Sequence, residues 1–140
     1  MDLILWRHAD AEEGAPDLAR KLTPKGERQA ARVAAWLREH LPENYRLLAS
    51  PAVRAQQTAE ALGKPTTEKL LAPGATVEAI LKTAGKHGAV VLVGHQPDLG
   101  AVVSYLICGE ERDLSIAKGA LWWFSGDTVR AVISPDLLKH

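Results

Sequence analysis

Residues 89–97, Ala-Val-Val-Leu-Val-Gly-His-Gln-Pro, decide the fold class. Ala89 to Val93 is an unbroken apolar run between glycines, the pattern of a short strand buried on both faces. Such strands belong to parallel sheets covered by helices. Pro97 then predicts the start of a helix whose apolar face is Leu99, Val102, Val103 and Leu106. Working outward, Leu3-Ile4-Leu5-Trp6 reads as a second strand of the same kind. Thr23-Pro24 supplies an N-cap and a proline at the first helical position. Ala30, Val33, Ala34, Leu37 and Leu41 follow at helical spacing until Pro42. Tyr45 to Ala49 predicts a strand, and Ser50-Pro51 reads as another cap-then-proline start. That helix runs through Ala55, Ala59 and Leu62 to Gly63. A weaker strand is expected over Thr66 to Leu70, and Val77, Ile80, Leu81 and Ala84 mark a helix closed by Gly85 and Gly88. Ala120–Phe124 and Val129–Ile133, joined by Ser125-Gly126-Asp127-Thr128, predict a hairpin that adds an antiparallel strand at one edge. The alternation implies an α/β fold, a three-layer α/β/α sandwich with a mostly parallel central sheet.

Composition narrows the function classes. The chain has 140 residues, 46% apolar and 24% charged, a length that suits a single domain over residues 1–140. Its 17 Lys and Arg balance 17 Asp and Glu, which argues against nucleic acid or an anionic membrane as partner. Cys108 stands alone, so neither an internal disulfide nor a multi-thiolate metal site is expected. The apolar start is too short for a signal peptide, and no run approaches the roughly 20 residues of a membrane span. A cytoplasmic monomer is the expectation.

Ligands of open α/β sheets bind at the carboxyl ends of the strands. There the sequence places Arg7-His8, then Ser50-Pro51 with Arg54, then Gly94-His95. Either histidine alone reads equally well as a hydrogen-bonded core residue. Both together, at strand ends and beside arginines, point to chemistry. His40 and His87 fall near helix C-termini and need no further role, while His140 is expected to fray. The spacing gives no metal signature, and neighbouring arginines would repel a cation, so no metal or cofactor is expected. Guanidinium forks match phosphate or carboxylate oxygens, and Arg54 lies near a helix N-terminus. No glycine-rich nucleotide cradle is present. Arginines with histidines in this setting point to phosphoryl chemistry on a histidine nucleophile.

These residues resemble a known family. Arg7-His8-Ala9 is similar to the Arg-His-Gly signature of the histidine phosphatase superfamily, which has the phosphoglycerate mutase-like fold. Ser50-Pro51-Ala52-Val53-Arg54-Ala55-Gln56-Gln57-Thr58-Ala59 resembles its second segment, and Gly94-His95 its second histidine. The small size, residues 20–26, Val93–Pro97 and Ser134-Pro135 resemble the SixA-type phosphohistidine phosphatases, a minimal form without a large lid insertion. The resemblance implies a metal-independent phosphatase with a covalent phosphohistidine intermediate. His8 would attack phosphorus through one neutral ring nitrogen, its other nitrogen donating to a backbone carbonyl. Arg7, Arg54 and His95 would hold the phosphoryl oxygens, and Arg20 would touch phosphate at the rim. The implied partner is a phosphohistidine-bearing protein, such as a phosphotransfer or histidine-kinase-linked domain, or a small phosphorylated substrate. A small-molecule phosphomonoesterase and a non-catalytic phosphohistidine-binding module are the alternatives.

Two departures stand out. Ala9 replaces the usual glycine, which costs about 1–2 kcal/mol if φ is positive there and nothing otherwise. The segment Leu70-Leu71-Ala72-Pro73-Gly74, where larger relatives carry an acid, has no carboxylate. Glu68 is expected in a strand and Glu78 in a helix. Most charges of the acidic loop Asp10–Asp17 and of the basic stretch 20–32 read as solvated surface, with Arg20 the exception. Trp122 and Trp123 must face opposite sides of a strand, and Trp6 is expected in the core.

Overall fold

The computed structural model describes residues 1–139, so the expectation for His140 lies outside it. In chain order the elements are β1 (Asp2–Arg7), α1 (Pro24–His40), β2 (Arg46–Ala49), α2 (Val53–Glu60) and β3 (Thr66–Thr67). They continue as α3 (Val77–Ala84), β4 (Ala89–Gly94), α4 (Asp98–Cys108), β5 (Leu121–Ser125) and β6 (Thr128–Ile133). Short 3-10 helices lie at Asp17–Ala19, Lys69–Leu71 and Pro135–Leu137. The sheet order is β3-β2-β4-β1-β5-β6, with β1 to β4 mutually parallel, β5 antiparallel to β1, and β6 antiparallel to β5. The predicted hairpin therefore supplies two strands: β5 runs antiparallel to β1, and the edge strand β6 turns back to run in the direction of β1.

Strand alternation divides the core into two layers. Leu3, Leu5, Val90 and Leu92 pack against Val77, Ile80, Leu99, Val102 and Val103 of α3 and α4. Ile4, Trp6, Val91 and Val93 face the opposite way, against Val33, Ala34, Leu37, Ala55 and Ala59 of α1 and α2. Helices on both faces and no large insertion make this the three-layer sandwich expected from the sequence. Trp6 is fully buried, and Trp122 and Trp123 divide between the two layers. Among the described residues no helix is long and apolar enough to cross a membrane.

Thr23 caps α1 as its sequence predicts, its hydroxyl accepting from the Gly26 amide at 3.0 Å. Gly26 has a second duty, because a Cβ there would stand 2.0 Å from the Asp10 carbonyl oxygen. The start of α1 is thereby pressed against the loop that follows β1.

Three local expectations are corrected. Ser50 does not cap α2; that helix begins at Val53 with Ala52 at the cap position, and no side chain bonds the cap. The Ser50 hydroxyl is instead committed to His95 and to the Ala52 amide. The strand expected over Thr66 to Leu70 shrinks to Thr66–Thr67, because β2 offers it only Leu48 and Ala49 as partners. Glu68 consequently lies outside the strand, its carboxylate accepting from the Leu70 amide at 3.1 Å to open the 3-10 turn.

Candidate active site

The sheet register assembles the site. Arg7 on β1 pairs with Gly94 on β4, so the residues that follow, His8 and His95, emerge side by side. Their ring centroids are 5.2 Å apart with the planes tilted by 54°. On the other side of β4, Ala49 pairs with Val93, which sets Ser50 beside His95. The three strand ends read from the sequence thus meet at one place, and the switch in connection direction around β4 leaves it open for a ligand.

His8 is 7% exposed, and its Nδ1 lies 2.7 Å from the Ala9 carbonyl oxygen. A carbonyl can only accept, so Nδ1 carries the proton and the neutral ring has its lone pair at Nε2. Burial, followed by the charges of Arg54, Arg7 and Arg20, lowers the His8 pKa to about 4 despite the opposing Ala9 bond. His95 is lowered to about 3, first by burial and then by His8, Arg54 and Arg20, with Asp17 acting the other way. Both rings are therefore neutral near pH 7. His95 Nε2 lies 2.7 Å from the Ser50 hydroxyl, whereas its Nδ1 is buried without a partner.

Each arginine is fixed by one edge. Arg7 donates from Nη1 to the Ile116 carbonyl at 2.8 Å, and its buried Nε has no partner. Arg54 is 4% exposed and held by Asp17, through the backbone oxygen at 2.8 Å and a carboxylate oxygen at 3.1 Å. Its Nε is likewise buried and unpartnered. Arg20 bonds the other Asp17 oxygen through Nε at 3.2 Å and the Glu12 carbonyl through Nη1 at 3.0 Å. Unpartnered buried N–H groups are rare and costly; besides Arg32 Nε, the described residues leave Arg7 Nε, Arg54 Nε and His95 Nδ1 in that state, all on residues at or just after these strand ends. Among the described residues no group of three or more His, Cys, Asp or Glu could hold a metal ion.

All four residues nominated at strand ends therefore come together, with Arg20 joined to them through Asp17. Sequence reasoning misses Asp17, which reads with the solvated acids, and Ser50, which reads as a helix cap. It also misses Asp98, a buried acid on α4 that accepts from the Gly74 and Ala75 amides at 2.9 and 3.1 Å. This carboxylate braces the segment that lacks one of its own. Burial raises its pKa.

The profile of the Histidine phosphatase superfamily (branch 1) matches residues 3–72, the half of the chain that carries Arg7, His8 and Arg54. A curated relative, phosphohistidine phosphatase SixA of Escherichia coli K12, is 33% identical over 157 aligned positions, spanning 99% of this chain and 97% of that protein. The chain belongs to the histidine phosphatase superfamily. A solved structure described as the protein histidine phosphatase SixA complexed with tungstate superimposes with a TM-score of 0.82. It is 28% identical and covers 99% of this chain and 100% of that one. An Entamoeba histolytica phosphoserine phosphatase shares the fold at a TM-score of 0.71 and 15% identity, covering 96% of this chain and 97% of that one. As a superfamily member the chain is a histidine-phosphatase-type hydrolase. Its Ala9 in place of the family glycine carries no backbone penalty, since no described residue other than glycine has positive φ.

Proposed function

We propose that this chain is a metal-independent phosphatase for phosphohistidine on proteins. The observation that carries the proposal is the His8 ring, locked by Ala9 with a neutral Nε2 among unpartnered donors of Arg7, Arg54 and His95. In the first step the Nε2 lone pair attacks phosphorus in line. A P–Nε2 bond forms, and the P–N bond to the substrate histidine breaks. That imidazole, already protonated on its other nitrogen, leaves as a neutral ring. The positive charge gained by His8 is stabilised through Nδ1–H by the Ala9 carbonyl. Arg7, Arg54 and His95 stabilise the equatorial oxygens, a role that arginine can fill where other enzymes use a cation. Water then attacks the phosphorus of phospho-His8, giving inorganic phosphate and restoring the neutral ring.

The substrate class follows from the leaving group. An alkoxide needs a proton as its bond to phosphorus breaks, and a positioned acid contributes about 10²–10⁴-fold to such a step. Segment 70–74 offers no acid, and Glu68 is engaged with the Leu70 amide. Transfer between two imidazoles needs none. The likeness to a phosphohistidine phosphatase along nearly the whole chain supports the same reading. The test is hydrolysis of a phosphohistidine peptide, a phosphoserine peptide and an aryl phosphate, each with and without EDTA. The proposal expects strong preference for phosphohistidine and indifference to chelator. Efficient phosphoserine hydrolysis, or a rate restored only by a divalent ion, would refute it.

A further inference from the structure

Asp17 belongs to an acidic loop, yet it is built into the arginine cluster. Its backbone oxygen and Oδ2 take Nη1 and Nη2 of Arg54, and its Oδ1 takes Nε of Arg20. The Arg54 side chain is 5% exposed, whereas that of Asp17 is 57% exposed, so the carboxylate lies on the solvent side of the guanidinium. This contact occupies the Nη1 and Nη2 edge of Arg54, while its buried Nε has no partner. The bond from Arg54 is the main reason that the Asp17 carboxyl sits below the usual carboxylate range. An acid held ionised by two guanidinium groups has no proton to give at neutral pH, so Asp17 is not a replacement for the missing general acid. Its charge nevertheless reaches the reacting groups, opposing the effect of Arg54 and Arg20 at His95.

We infer that Asp17 is a positioning residue of the oxyanion site, holding Arg54 by its outer edge and offsetting part of the arginine charge so that phosphate is released after turnover. The inference rests on reading the pocket as a phosphoryl site. Charge that attracts bound phosphate and transition state alike lowers KM without raising kcat, and it slows product release. Directed N–H groups favour the transition state more selectively, because they are aimed at fixed oxygen positions. A carboxylate on the outer edge retains that direction while reducing the general attraction.

The experiment compares the parent chain with Asp17→Asn, which keeps the shape and an acceptor oxygen, and Asp17→Glu, which keeps the charge. Binding of inorganic phosphate is measured by calorimetry, and kcat and KM are measured on a phosphohistidine peptide. Asp17→Asn should bind phosphate about three- to tenfold tighter, the scale of one nearby charge at a partly exposed site. Its KM should fall and its kcat should fall with it, while Asp17→Glu should return to the parental phosphate affinity. A residue that merely braced the loop would weaken phosphate binding on removal. Asp17→Asn with parental melting temperature and unchanged or weaker phosphate binding would overturn the inference, and Asp17→Ser provides the same comparison should asparagine misfold. Phosphate binding requires no turnover, so a phosphohistidine peptide left intact by the parent chain would refute the functional reading alone.

Discussion

Replacing Ser50 by alanine should disarm His95 without touching the pocket. The Ser50 hydroxyl accepts from the Ala52 amide at 3.1 Å and lies 2.7 Å from His95 Nε2. With the amide N–H on one lone pair, the hydroxyl proton is free to point at Nε2, which places the imidazole proton on Nδ1. His95 has a pKa near 3, so the ring carries one proton at working pH, and its position decides whether Nδ1 can donate to a phosphoryl oxygen. Alanine removes this preference and strands Nε2 and the buried Ala52 amide. Each stranded buried group costs about 1–3 kcal/mol. Loss of the His95 contact alone, at about 1.4 kcal/mol per decade, lowers kcat/KM by about 5- to 150-fold. The two together lower the melting temperature by about 4–24 °C, at roughly 2–4 °C per kcal/mol. The assay is a double-mutant cycle on a phosphohistidine substrate, with Ser50→Ala made alone and on a His95→Ala background. If Ser50 acts through His95, its removal should cost little further activity on that background. The same loss in both backgrounds, or a single variant within twofold of the parent, would refute the assignment.

Three further outcomes follow from particular contacts. His8→Ala, folded as judged by its melting temperature, should form no acid-labile phosphoenzyme when incubated with a reactive phosphodonor, whereas the parent should; labelling or normal turnover in the variant would remove His8 as nucleophile. Gly26→Ala should cost more than about 3 kcal/mol in chemical denaturation, because the new Cβ would lie 2.0 Å from a backbone oxygen that cannot step aside cheaply; a loss under 1 kcal/mol would show that the Asp10 loop yields. Unfolded histidines titrate near 6.5, so below that pH the unfolded chain binds protons that His8 and His95, held to about 4 and about 3, do not. Their contribution is intact above pH 6.5 and is lost as pH falls toward those values, so His8→Asn should show a shallower decline in denaturation midpoint from pH 7 to pH 4.5, and identical slopes would refute the depressed pKa.

The layer plan was legible because burial on both faces leaves an unmistakable trace in β1 and β4. Residues at the carboxyl ends of such strands are the natural ligand positions, so His8, His95, Arg7 and Arg54 could be nominated without coordinates. Propensity failed where tertiary partners outbid it. Ser50-Pro51 has the composition of a helix start, but a register pairing Ala49 with Val93 carries the serine to His95, and the helix starts later. Thr66 to Leu70 has strand character, yet the exposed edge of a four-residue β2 can pair only two of those residues.

What the sequence concealed was the layer of groups behind the reacting atoms, and the reason is geometric. A strand end announces the residue that follows it, but not which loop will lie beside that residue. Asp17 reaches Arg54 across 37 positions and the Ile116 carbonyl reaches Arg7 across 109. Neither contact has a local pattern to betray it. The same separation explains the segment without an acid. Viewed alone, residues 70–74 lack a carboxylate; in the fold Asp98 of α4 supplies one from behind, with Oδ2 committed to the Gly74 and Ala75 amides. That carboxylate holds the segment through bonds to its backbone, a bracing role in which burial raises the carboxyl pKa while the two amides oppose the rise. The chain therefore keeps these two carboxylates in two capacities, one bracing a loop through its amides and one backing an arginine. A site arranged in this way is suited to a leaving group that brings its own proton.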